Sequence, residues 1–207
     1  TRVRAAAVRF RRSPPAARPY PARLSWAPVP TITAERMPMR KLIILRHAKA
    51  EKVPGKADID RVLTDRGEHD ARRAGQVLGE LGLVPDLVLC SPAQRTRRTA
   101  ELALAALAPE APVYHEREMY LASPKDLLAV VQRTDPDVAT LLIVGHNPGF
   151  LELFLSLTAT PAEADPGFPT CAFAVVETEA PWERLWPGDG RTVARWTPKG
   201  GLVTGPR

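Results

Sequence analysis

Three short, unbroken apolar runs stand out along the chain: Leu42-Ile43-Ile44-Leu45, Leu87-Val88-Leu89-Cys90 and Leu141-Leu142-Ile143-Val144. A run of this length with no polar alternation predicts a strand buried on both faces, as in a parallel sheet. Between the runs the period changes. Ala71, Ala74, Leu78 and Leu81 are spaced three and four apart and mark one face of a helix that Thr64 and Asp65 open and Gly82 closes. Ser91-Pro92 reads as a cap followed by proline at the first position of a second helix, which runs to about Leu107. Val113-Tyr114-His115 predicts a short strand. Ser123-Pro124-Lys125-Asp126 opens a third helix with Leu127, Leu128, Val130 and Val131 inside, and a fourth covers about Phe150 to Leu157. Past Pro169 two strands are expected, from Cys171 to Glu177 and from Thr192 to Trp196, as an antiparallel edge pair. Strand–helix alternation with short links predicts an α/β domain of three layers, helix–sheet–helix, on a mostly parallel sheet with an antiparallel edge.

Composition changes this outline in one place. The 207 residues are 44% hydrophobic and 25% charged, ordinary for a globular protein with one substantial core. The net charge of +6 would point to nucleic acid if it were spread over the fold. It is not: residues 1–40 hold nine arginines and a single acid, Glu35, a balance of +8, so the remainder carries about −2. Residues 1–38 are rich in Arg, Pro and Ala without helical or strand periodicity. They are expected to be a disordered extension, with the folded domain at 39–207. Three origins compete for it: an over-extended gene start ahead of Met37 and Met39, an arginine-rich targeting segment, or a basic arm. Cys90 and Cys171 lie in apolar surroundings and read as buried free thiols. No apolar run approaches the ~20 residues needed to cross a bilayer, so no membrane role and a cytoplasmic location are expected.

The candidate chemistry lies at the ends of the buried strands. Arg46 and His47 follow the first, Ser91-Pro92 and then Arg95 the second, and Gly145-His146-Asn147 the third. The carboxyl edge of such a sheet is where ligands bind. Two arginines, two histidines and a helix N-terminus converging there describe a pocket for a dianion. Phosphate suits the planar, always charged guanidinium fork. There is no Gly-rich loop ending in Lys-Ser/Thr and no paired-carboxylate cluster, which argues against a nucleotide–Mg²⁺ site. Neither a metal nor a cofactor is expected. A neutral imidazole can attack phosphorus directly and form a phosphohistidine that water hydrolyses. Surrounding cations stabilise the equatorial oxygens in the transition state and, as like charges, hold down the pKa of the nucleophile.

Arg46-His47-Ala48, Ser91-Pro92 with Arg95 and Thr99-Ala100, and Gly145-His146-Asn147 together resemble the histidine phosphatase superfamily, the phosphoglycerate-mutase-like fold. Arg61-Val62-Leu63-Thr64-Asp65-Arg66-Gly67 and the compact size are similar to its SixA branch, the phosphohistidine phosphatases. The resemblance spans about residues 40–200. It implies His47 as nucleophile, Arg46, Arg95 and His146 as the catalytic phosphate pocket, and Arg61 as a further substrate-binding arginine. Two departures stand out. Ala48 occupies a position where the family usually has glycine, which is tolerable at negative φ. The family's general acid also has no clean counterpart, Glu116 and Glu118 being the candidates. A missing acid matters less for phosphohistidine, whose imidazole leaving group can take its proton from solvent.

The function expected from this resemblance is hydrolysis of phosphohistidine on a phosphorylated protein, or of a related small phosphorylated substrate. The alternatives are a broad phosphomonoesterase on the same fold and a non-catalytic phosphoprotein-binding module. His69 and His115 read as solvated, and Arg97 and Arg98 as facing solvent or acidic helix partners. Trp196 reads as packing on the sheet.

Overall fold

A computed structural model describes residues 39–107, 110–161 and 167–205. The expected extension over residues 1–38 lies outside the described residues. Seven strands form one mixed sheet: β1 Arg40–Arg46, β2 Leu87–Cys90, β3 Val113–His115, β4 Thr140–Gly145, β5 Phe173–Thr178, β6 Gly190–Thr197 and β7 Gly201–Thr204. Their order across the sheet is β3-β2-β4-β1-β5-β6-β7. The first four in that order pair in parallel. The last three join antiparallel.

The unbroken apolar runs sit at the centre for the reason their pattern gives. In β1 successive side chains point to opposite faces and both faces are covered. Ile43 and Leu45 pack with Ala71, Ala74 and Leu78 of α1 (Asp65–Glu80) and Ala100 and Ala103 of α2 (Gln94–Leu107). Leu42 and Ile44 pack on the other side with Leu127 and Val131 of α3 (Pro124–Gln132) and Phe150 and Phe154 of α4 (Gly149–Leu157). All four β1 residues are wholly buried. Each such side chain contributes about 1.5–3 kcal/mol relative to exposure. The helix openings at Thr64 and Ser123 are as expected, each hydroxyl accepting a backbone N–H in its first turn. α1 and α2 cross closely because Gly75 has no side chain: a Cβ there would lie 2.1 Å from the Ala103 carbonyl oxygen.

Two expectations need correction. The antiparallel part is three strands, and β5 is not at an edge; it lies beside β1, with Phe173 opposite Leu45. The missing strand was β7, whose four residues are all exposed and so carry no burial alternation. Nor does Ser91 cap a helix that starts at Pro92. The helix begins at Gln94, and Ser91 continues the line of β2, its N–H bonded to the Val144 carbonyl and its hydroxyl bonded to His146.

Candidate active site

The adjacency of β2, β4 and β1 brings their carboxyl ends side by side, and the residues that follow them meet. The His47 N–H is held by the Gly145 carbonyl at 2.9 Å, and the His47 carbonyl accepts from Cys171 N–H at 3.0 Å. Ala48 is buried, and its φ is not positive, so the methyl group is accommodated. Its N–H donates to Thr99 Oγ1 of α2 at 3.0 Å, and Thr99 in turn donates to the Arg95 carbonyl. The turn carrying His47 is thereby tied to the helix carrying Arg95.

The protons on the two imidazoles follow from their partners. His47 Nδ1 lies 2.8 Å from the Ala48 carbonyl, which only accepts, so Nδ1 carries the proton and Nε2 keeps its lone pair. His146 Nδ1 lies 3.2 Å from Arg95 Nη2, which only donates, so Nδ1 is the acceptor there. His146 Nε2 then donates to Ser91 Oγ at 2.7 Å. The two rings are 5.2 Å apart at their centroids, and Tyr120 meets His146 edge-on at 5.4 Å. His47 is held down to about pKa 4, chiefly by burial. The charges of Arg95, Arg46 and Arg61 add to this, and its bond to Ala48 opposes it. The expected effect of the cations is therefore present but is not the largest. His146 is held down to about 3, again first by burial and then by Arg95.

The charges of Arg95 and Arg46 act on both histidines, and that of Arg61 acts on His47. Arg95 is 2% exposed, and Arg46 donates through Nη1 to the Phe168 carbonyl at 2.7 Å. The Nε–H groups of both are buried and meet no acceptor among the described residues. Asn147 joins Arg46 on the Phe168 carbonyl at 3.0 Å. Arg61 donates to the Glu51 carbonyl at 2.7 Å and to Asp58 Oδ1 at 2.8 Å.

Asp58 and Tyr120 were not foreseen. Asp58 Oδ2 accepts from Arg95 Nη2 at 2.8 Å and from the Tyr120 hydroxyl at 2.7 Å. Arg95 Nη1 also donates to the Asp58 carbonyl. The Tyr120 hydrogen bond, followed by those of Arg61 and Arg95, pulls the Asp58 carboxyl far below the usual carboxylate range, so it is ionised at neutral pH. The Tyr120 phenol is raised, by burial and by Asp58. The only sequence signal for Asp58 was its place three residues before Arg61 in an aperiodic loop. Glu116 and Glu118, the two candidates for a general acid, line a separate cleft with Leu87, Leu89 and Val130. There Glu118 pairs with Arg133 at 2.6 Å. Arg98 pairs with Glu68 and Glu101, outside the pocket. Among the described residues no group of three or more His, Cys, Asp or Glu is arranged to hold a metal ion.

Comparison with known proteins places this arrangement in a class. The fold is that of the phosphoglycerate-mutase-like α/β proteins. The structure of a protein assigned as the phosphohistidine phosphatase SixA of Nakamurella multipartitia matches with a TM-score of 0.68 and 32% identity, covering 78% of this chain and 98% of that one. A protein histidine phosphatase SixA solved with tungstate matches at 0.66 and 26%, covering 76% and 97%. An uncharacterized Mycobacterium tuberculosis protein is 34% identical over 162 residues, 75% of this chain and all of the relative. The family model of the histidine phosphatase superfamily, branch 1, matches residues 42–120. The chain belongs to the histidine phosphatase superfamily and is of the SixA type, which supports a phosphatase.

Proposed function

We propose that this protein hydrolyses phosphohistidine, on a phosphorylated protein or a related small phosphorylated target, through a covalent phosphohistidine at His47 and without a metal. One observation carries the reading. The His47 proton is fixed on Nδ1 by the Ala48 carbonyl, which leaves Nε2 as a lone pair on an imidazole that stays neutral at working pH. In the first step Nε2 forms a bond to phosphorus while the bond from phosphorus to the leaving nitrogen breaks, its electron pair departing with the imidazole. In the second, water attacks the phosphorus of phospho-His47, inorganic phosphate leaves, and Nε2 regains its lone pair. Arg46, Arg95 and Arg61 lie close enough for their charges to act on His47, and they supply positive charge to the oxygens. The SixA relative solved with tungstate, a tetrahedral oxyanion, supports this use of the pocket.

The leaving group favours a P–N substrate. Asp58, the carboxylate at the pocket, is ionised and has no proton to give near neutrality. An alkoxide leaving group needs such a proton. An imidazole does not, since its far nitrogen is protonated by solvent with a pKa of about 6.5. We assign the activity to residues 39–207. The two buried free thiols fit a reducing compartment, and a cytoplasmic location is part of the proposal. Turnover of a phosphorylated histidine-transfer domain should exceed that of p-nitrophenyl phosphate and of alkyl phosphates in kcat/KM. Equal or better turnover of alkyl phosphates would replace this reading with a broad phosphomonoesterase.

A further inference from the structure

Asp58 occupies two of the cations of the pocket, Arg95 and Arg61. It sits in the short 3-10 turn Asp58–Asp60, at the tip of a segment whose neck is closed by the pairing of Ala50 with Leu63 and by the Glu51 N–H to the Val62 carbonyl at 3.0 Å. From that tip it takes Arg95 Nη2 and Arg61 Nη1 on its two carboxylate oxygens and Arg95 Nη1 on its backbone carbonyl. One residue therefore engages both terminal nitrogens of Arg95 and one of Arg61. These are groups that a phosphoryl dianion would need.

The two ends of this contact differ in burial. The Arg95 side chain is 3% exposed and that of Asp58 is 45% exposed. A buried guanidinium without a counter-charge is unfavourable, whereas a carboxylate at the mouth can turn to water at little cost. If Asp58 stayed against Arg95 beside a phosphoryl group, two like charges would share one cation. On the reading of the site as a phosphate pocket, we propose that Asp58 is an affinity-determining residue. It acts as a resident counter-anion that releases Arg95 and Arg61 to the entering phosphoryl group and takes them back when phosphate leaves. Asp58 thus competes with the product and keeps phosphate binding weak. Tyr120, whose hydroxyl donates to the same Oδ2, assists by holding the carboxylate on Arg95.

The test is the dissociation constant of inorganic phosphate, by calorimetry on the full chain, for wild type, Asp58→Asn and Tyr120→Phe. Removing the charge should tighten binding about fivefold or more in Asp58→Asn, by loss of a competing anion. Tyr120→Phe should move it less in the same direction. A role confined to holding Arg95 in place predicts the reverse, so unchanged or weaker binding in Asp58→Asn overturns the inference. If that variant lacks the wild-type thermal transition, the direction of the Tyr120→Phe shift decides by the same rule. Wild type that takes label at His47 while Asp58→Asn fails to tighten keeps the proposed function and loses only this role. Wild type that neither binds phosphate nor takes label loses both.

Discussion

One hydrogen bond at His47, from Nδ1 to the Ala48 carbonyl, decides which ring nitrogen keeps its lone pair, and burial decides that it is unprotonated. A folded-state pKa of about 4, below the ordinary value of 6.5, means that the neutral form persists as pH falls and is lost only on approaching 4. Observed by NMR, the His47 ring should show no titration between pH 8 and pH 5, and kcat/KM, corrected for substrate ionisation, should be flat over that range. A His47 midpoint near 6.5 would contradict the burial argument. Ser91 sets the other imidazole. Its hydroxyl accepts from His146 Nε2 here, and a hydroxyl can equally donate, so on the proposed function it could follow His146 through a tautomer exchange if Arg95 turned to a phosphoryl group. Ser91→Ala leaves a buried imidazole N–H without its partner, which costs about 1–3 kcal/mol. We expect a fall in kcat on the order of tenfold or more, with the far-ultraviolet circular dichroism spectrum unchanged. Full activity in that variant would remove Ser91 from the mechanism.

Elements carry these residues only if their relative placement is fixed, and the contact between α1 and α2 shows how tightly. Gly75 lets the Ala103 carbonyl approach to where a methyl group would be. Gly75→Ala must push the helices apart, and overpacking of this kind costs about 1–3 kcal/mol, so the urea midpoint should fall clearly. An unchanged midpoint would mean that the crossing is looser than described. At this scale the sequence was readable where a side chain's fate is settled by its own segment. The three apolar runs became β1, β2 and β4, and Thr64 and Ser123 became caps. It misled where a distant partner won. Ser91 looks like a cap, but a histidine 55 residues away takes its hydroxyl. β7 left no trace because none of its side chains is buried.

Across the whole molecule, the order β2-β4-β1 is what turns three separate strand ends into one pocket. That Arg46, His47, Arg95 and His146 come together was legible because each ends or follows a buried strand or lies in the first turn of the next helix. Asp58 and Tyr120 were not, because the pairings that bring them in span 37 and 62 residues and no local pattern records them. Charge is also partitioned at this scale. The basic excess lies in residues 1–40 and the remainder is slightly acidic, so the cations of the pocket are a local arrangement within an otherwise unremarkable surface charge. The central claim is that a phosphoryl group passes through His47, and acid-quench trapping with labelled phosphohistidine tests it most directly. Wild-type protein should acquire a label that is base-stable, acid-labile and confined to His47, and His47→Ala should acquire none and release no phosphate. Phosphate release by His47→Ala at the wild-type rate, or a label on another residue, would contradict it.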